Sequence, residues 1–115
     1  MKPKTGEGFT EATSGTSAHL PAPLTLDAPF RFKSNQVLKN RFMLAPMTNC
    51  QSYADGTLGD DELRWLSLRA AGGFGLTMTC ASHVDRLGQG FKGQLGIYSD
   101  QHIPGHRRLT NEIHR

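Results

Sequence analysis

The chain has 115 residues, 13 Lys+Arg against 10 Asp+Glu, a formal charge of +3 and a hydrophobic fraction of 37%. No apolar run approaches the ~20 residues of a membrane-spanning helix, and Lys2 and Lys4 are followed by no apolar stretch of a secretory signal. Two cysteines exclude a disulfide-dense scaffold, and a charge of +3 without a clustered basic face gives no case for nucleic acid. These values predict one domain at most, in a reducing compartment, the cytoplasm.

Residues 1–29 are rich in Thr, Ser, Gly, Pro and Ala, and Phe9, Leu20, Leu24 and Leu26 follow neither a helical nor a strand period. Such a segment buries too little to offset its ordering entropy, so it reads as a flexible polar extension. Glu7, Glu11 and Asp27 argue against a transit peptide. Folded sequence is expected over residues 30–115. Phe30–Lys33 alternates apolar and basic residues, Ser34-Asn35 is turn chemistry, and Gln36–Leu38 reads as a return strand, together a hairpin.

Phe42–Ala45 is a continuous apolar run closed by Pro46, which suits a strand buried on both faces. A helix follows Asp55-Gly56. Gly59 serves as its N-cap, and Asp60, Asp61 and Glu62 place negative charge where the helix dipole favours it. Leu63, Leu66 and Ala70 share one face, and Gly72-Gly73 stops the helix. Gly75–Cys80 then reads as a second strand, so the segment is a βαβ unit with parallel strands. The Gly-rich stretch Val84–Ser99 has no clear period and reads as a loop, and after Pro104-Gly105 a helix is expected over Arg107–Arg115.

Several residue groups are expected to be bland. Cys50, Cys80 and His83 each follow a predicted strand, but no Cys-x-x-Cys pair accompanies them, so no metal site is expected. His102, His106 and His114 default to the surface. The basic residues Arg31, Lys33, Lys39 and Arg41 read as a solvated face. Gly88, Gly90 and Gly93 lack the strand and helix of a dinucleotide fingerprint.

The segment Leu38-Lys39-Asn40-Arg41-Phe42-Met43-Leu44-Ala45-Pro46-Met47-Thr48 resembles the opening signature of the old yellow enzyme family, the NADH:flavin oxidoreductases. Further segments agree in the same order: Asp55-Gly56 before the acidic helix start, Gly72-Gly73-Phe74-Gly75-Leu76, and Gly93-Gln94-Leu95-Gly96-Ile97-Tyr98-Ser99-Asp100. The resemblance covers the chain from about Phe30 onward. It implies an α/β fold, the N-terminal portion of a (β/α)₈ TIM barrel comprising the hairpin and the first two βα units. It also implies FMN at the mouth of the barrel, NADH or NADPH as reductant, and a small-molecule acceptor such as an activated alkene.

The same resemblance assigns the flavin contacts of this portion to Pro46, Met47 and Thr48, after the first strand, and to Ala81, after the second. Cys50 falls where the family often places a substrate-facing residue, and Tyr98 where it often has a packing aromatic. The family's paired His/His or His/Asn, its Gln and Arg flavin contacts and its tyrosine proton donor have no counterpart here. No catalytic residue is therefore expected in this chain, and a barrel of ~250 residues exceeds its length. The competing expectation is a non-catalytic remnant or interaction module that binds no flavin tightly.

Overall fold

The computed structural model describes residues 25–115. Most of the extension expected over residues 1–29 therefore lies outside the described residues. Within it, Thr25 and Ala28 close a turn, and the Leu26 carbonyl accepts the Arg41 amide at 2.9 Å.

Strands β1 (Phe30–Arg31) and β2 (Val37–Leu38) pair antiparallel, with Phe30 opposite Leu38. Asn35, at φ 70°, turns the chain between them in the left-handed region that Asn tolerates. Strand β3 (Met43–Leu44) pairs in parallel with β4 (Leu76–Thr77), Met43 opposite Leu76 and Leu44 opposite Thr77. Helix α1 (Asp60–Ala71) connects them, so the expected βαβ unit is present. Gly59 is its N-cap, and Gly72 and Gly73 end it, the latter at φ +109°.

Three expectations require correction. The stretch Val84–Ser99 is not all loop: β6 (Leu95–Gly96) pairs in parallel with β5 (Ser82–His83). The final helix, α2, spans Ile103–Ile113 and so takes Pro104 into its first turn, where the missing N–H costs nothing. The run Phe42–Ala45 is not buried on both faces: Leu44 is 8% exposed, but Phe42 and Met43 are 47% and 51% exposed. Among the described residues no closed barrel forms and no helix is long and apolar enough to cross a membrane.

The core gathers Leu44 from β3, Leu66 from α1, Leu95 from β6, Leu109 from α2 and Leu58 from the loop between β3 and α1. Leu63, Trp65, Phe74 and Ile113 pack around it. The guanidinium of Arg69 lies 4.0 Å from the Trp65 ring centre, covering the edge of that core. Helices α1 and α2 pack together, and Arg108 pairs with Asp60 between them at 2.6 Å. Both partners of that pair are largely exposed, so it contributes at most about 1 kcal/mol. Gly105 lets α2 approach closely, since a Cβ there would lie 2.8 Å from Leu58 Cβ.

Candidate functional site at the strand ends

Parallel pairing of β3 with β4 places their C-terminal ends side by side, so the segments that follow emerge at one edge. Pro46, Met47 and Thr48 follow β3, and Ala81 follows β4; all are exposed. One hydrogen bond ties the two segments together. Asn49 Nδ2 donates to Cys80 Sγ at 2.7 Å, joining the neighbour of Thr48 to the neighbour of Ala81. Every sequence-predicted flavin residue therefore lies at this junction. Exposed main chain, one hydroxyl and one small side chain make a donor set and a surface that fit a flat, hydrogen-bonding ring such as a flavin.

Cys50 is exposed a short way beyond, and two glycines press the chain into place around it. A Cβ on Gly93, which has φ +81°, would lie 2.7 Å from the Cys50 carbonyl oxygen. A Cβ on Gly59 would collide with the Gln51 carbonyl. The Ser52 amide donates to the Gly93 carbonyl at 3.1 Å. The path of residues 50–52 is thus set by backbone contact with Gly59 and Gly93.

Glu62 sits in the first turn of α1, as expected, and is also completely buried. Its Oε2 accepts from Ser52 Oγ. Burial above all, and then the Glu62 carboxylate, push the Cys80 thiol up to about 12, so it stays protonated at neutral pH. The signal for this burial was available: Glu62 lies four residues before Leu66, on the face that enters the core. Among the described residues, no group of His, Cys, Asp and Glu could hold a metal ion.

The histidines also depart from expectation. His83 is 5% exposed and His102 2%, with the Tyr98 ring 5.0 and 4.6 Å from them respectively. Tyr98 packs, as anticipated. His83 Nδ1 faces the Asp85 carbonyl at 3.0 Å and must carry the proton, which leaves Nε2 without one in the neutral ring. His106 Nε2 donates to the Gly96 carbonyl at 2.9 Å, while His114 is exposed.

Burial, and then the charges of His83 and His106, hold His102 below its ordinary value of 6.5, against the opposing pull of Asp55. Such a group is neutral in both states above pH ~6.5; below that, the unfolded chain takes up the proton first. Stability is therefore expected to fall as pH drops below about 6.5. The fall in thermal midpoint should be smaller in His102→Gln. An equal fall in both proteins would show that His102 does not carry the effect.

These features have counterparts in known proteins. The sequence model of the NADH:flavin oxidoreductase / NADH oxidase family matches residues 25–115. A probable NADH-dependent flavin oxidoreductase of Bacillus subtilis is 38% identical over 85 residues, covering 74% of this chain and 23% of that protein. An NADPH dehydrogenase of Bacillus pumilus is 40% identical over 77 residues, covering 66% of this chain and 23% of the relative. Among solved structures, the old yellow enzyme of Trypanosoma cruzi superposes with a TM-score of 0.67 at 33% identity, over 77% of this chain and 23% of that one. A 2-naphthoyl-CoA reductase in complex with 2-naphthoyl-CoA gives 0.73 at 31% identity, over 77% of this chain and 14% of that one. The chain thus spans less than a quarter of the length of each. The βαβ unit, the glycine-bounded loops and the match over residues 25–115 agree, and the chain belongs to the NADH:flavin oxidoreductase / NADH oxidase family.

Proposed function

We propose that this chain forms the first strands and two cofactor-facing loops of an FMN-dependent NAD(P)H oxidoreductase of old yellow enzyme type. The whole protein would pass hydride from NADH or NADPH, through the flavin, to a small-molecule acceptor such as an activated alkene. The observation that carries this reading is the Asn49–Cys80 hydrogen bond, which brings the segment ending at Thr48 and the segment starting at Ala81 to one edge. Family membership supplies the cofactor.

Bound FMN would supply the two-electron chemistry, and the residues of this chain would seat and tune it. The Thr48 hydroxyl would donate a hydrogen bond to the flavin edge that gains electron density on reduction, favouring the reduced form. Main-chain groups of Pro46 and Met47 would line the ring, and the small Ala81 would let it pack close to the backbone. Cys50 would face the acceptor's side of the pocket. By itself the chain would not turn over, a reading supported by the exposure of Phe42, Met43 and Met78, at 47%, 51% and 39%, along the parallel pair.

The test joins this chain to the remainder of a barrel, from its own coding sequence or from the Bacillus subtilis relative. Anaerobic NADH or NADPH should bleach the flavin band, and an activated alkene should restore it. Thr48→Ala should lower the flavin potential and slow reduction by roughly tenfold, as loss of a hydrogen bond worth about 1.4 kcal/mol would do. A bound flavin that neither nucleotide reduces would overturn the proposal.

A further inference from the structure

The two flavin-facing segments run well past the point where the sheet holds them together. Among the described residues, the last backbone hydrogen bond across the β3–β4 pair runs from the Met78 amide to the Leu44 carbonyl, at 3.4 Å. Pro46, just beyond, has no amide hydrogen with which to continue the ladder. Thr48 lies four residues past Leu44 and Ala81 three past Met78, so the ladder alone does not set the gap between them. A side chain bridges it instead. Asn49 Nδ2 donates to Cys80 Sγ at 2.7 Å and to Gln51 Oε1 at 3.1 Å, which uses both of its amide hydrogens. Each end of this bridge is anchored. Cys80 is 4% exposed, and its carbonyl accepts from Ser82 Oγ at 3.1 Å, so Ala81 is bracketed. On the other side the Gln51 carbonyl lies against Gly59, and the Ser52 amide bonds the Gly93 carbonyl.

The bridge adds little to the stability of the fold. Asn49 Oδ1 is buried without a hydrogen-bond partner among the described residues. An unpaired buried acceptor subtracts from stability and offsets what the two donated bonds contribute. Local rules broken in this way are concentrated at functional sites. We propose that Asn49 is a positioning residue for the flavin: by bridging to Cys80 where the β3–β4 ladder has ended, its carboxamide sets the spacing between Thr48 and Ala81. Asn49 acts through its chain neighbour Thr48 and, by way of Cys80, through Ala81. The inference rests on the proposed flavin site, but the bridge itself does not.

The test uses the chain joined to a barrel remainder and cuts the bridge from either end. Asn49→Ala and Cys80→Ala should each weaken FMN affinity by about tenfold, the scale of one lost hydrogen bond, and the double variant by little more than either alone. Either single variant reads the bridge if the other fails to fold. Cys80→Ser keeps an acceptor for Asn49 and should hold affinity close to wild type. Because Thr48 moves with the bridge, Asn49→Ala should also lower the flavin potential, in the same direction as Thr48→Ala. Leu66→Ala separates positioning from stability: it weakens the fold, but under conditions where it stays folded its affinity and potential should match the wild type. Unchanged affinity in Asn49→Ala, or a double variant about a hundredfold weaker, would overturn the positioning role and leave the flavin site standing. An equal loss in folded Leu66→Ala would overturn it too, since any weakened fold would then do the same. A wild-type protein that binds no FMN would overturn the flavin site itself, and the positioning role with it.

Discussion

Replacing Leu66 with Ala is expected to cost about 2–5 kcal/mol of folding stability. Leu66 is completely buried in the cluster with Leu44, Leu58, Leu95 and Leu109, where α1, α2, β3 and β6 meet. Truncation removes its transfer free energy and leaves a cavity that rigid neighbours only partly close. Small domains hold a net stability of only about 5–15 kcal/mol, so the loss is a large share of the total. Leu68 is the control. It lies on the same helix but is 57% exposed, and its replacement by Ala should change stability by about 0.5 kcal/mol. Denaturant midpoints for the two variants check this. Equal shifts would mean that the core is not centred on Leu66.

Gly59→Ala should be nearly as damaging, for a different reason. Loss of the favoured N-cap accounts for about 1 kcal/mol at most. The added Cβ also collides with the Gln51 carbonyl, so residues 50–52 or the start of α1 must move. Overpacking of this kind adds about 1–3 kcal/mol. Because residues 50–52 follow directly on Thr48 and Asn49, flavin affinity should weaken as well. Gly88→Ala is the comparison, since a Cβ there meets only Asp85 Cβ at an ordinary 3.6 Å. It should leave both the unfolding midpoint and flavin affinity near the wild-type values. A Gly59→Ala protein as stable as Gly88→Ala would contradict the clamp.

Local signals made α1 readable. Gly59 stands at its start, three acidic residues occupy the first turn and a glycine pair follows its end, and the observed helix obeys all of them. The parallel partners β3 and β4 were readable for the same reason, as short apolar runs set off by Pro46 and by Gly75. β5 and β6 are hard to read because a two-residue strand shows no period, and β6 lies in a glycine-rich stretch with Gly93 just before it and Gly96 at its end. α2 starts before the Pro104-Gly105 pair after which it is expected, because a proline fits the first turn of a helix.

The candidate site divides in the same way. Pro46, Met47, Thr48 and Ala81 lie in a recognisable family signature, and their common edge follows from strand pairing. Near them Asn49 bonds Cys80 and Ser52 bonds Glu62, pairs brought together only by tertiary packing. Their spacing along the chain follows no period. Glu62 was legible as a charge near a helix start and, four residues before Leu66, as a position on the buried face, but its pairing with Ser52 was not. The burial of His102 likewise depends on β5 and Tyr98 closing over it.

The central claim is that the edge formed by Pro46–Thr48 and Ala81 is one wall of a flavin site. Equilibrium titration of FMN into the chain joined to a barrel remainder, followed by flavin absorption and fluorescence, tests it most directly. The account predicts one FMN per protein, with a perturbed flavin band and affinity weakened by about tenfold in Thr48→Ala. A folded protein that leaves the flavin spectrum unchanged would contradict it, and would make this chain a non-catalytic member of its family.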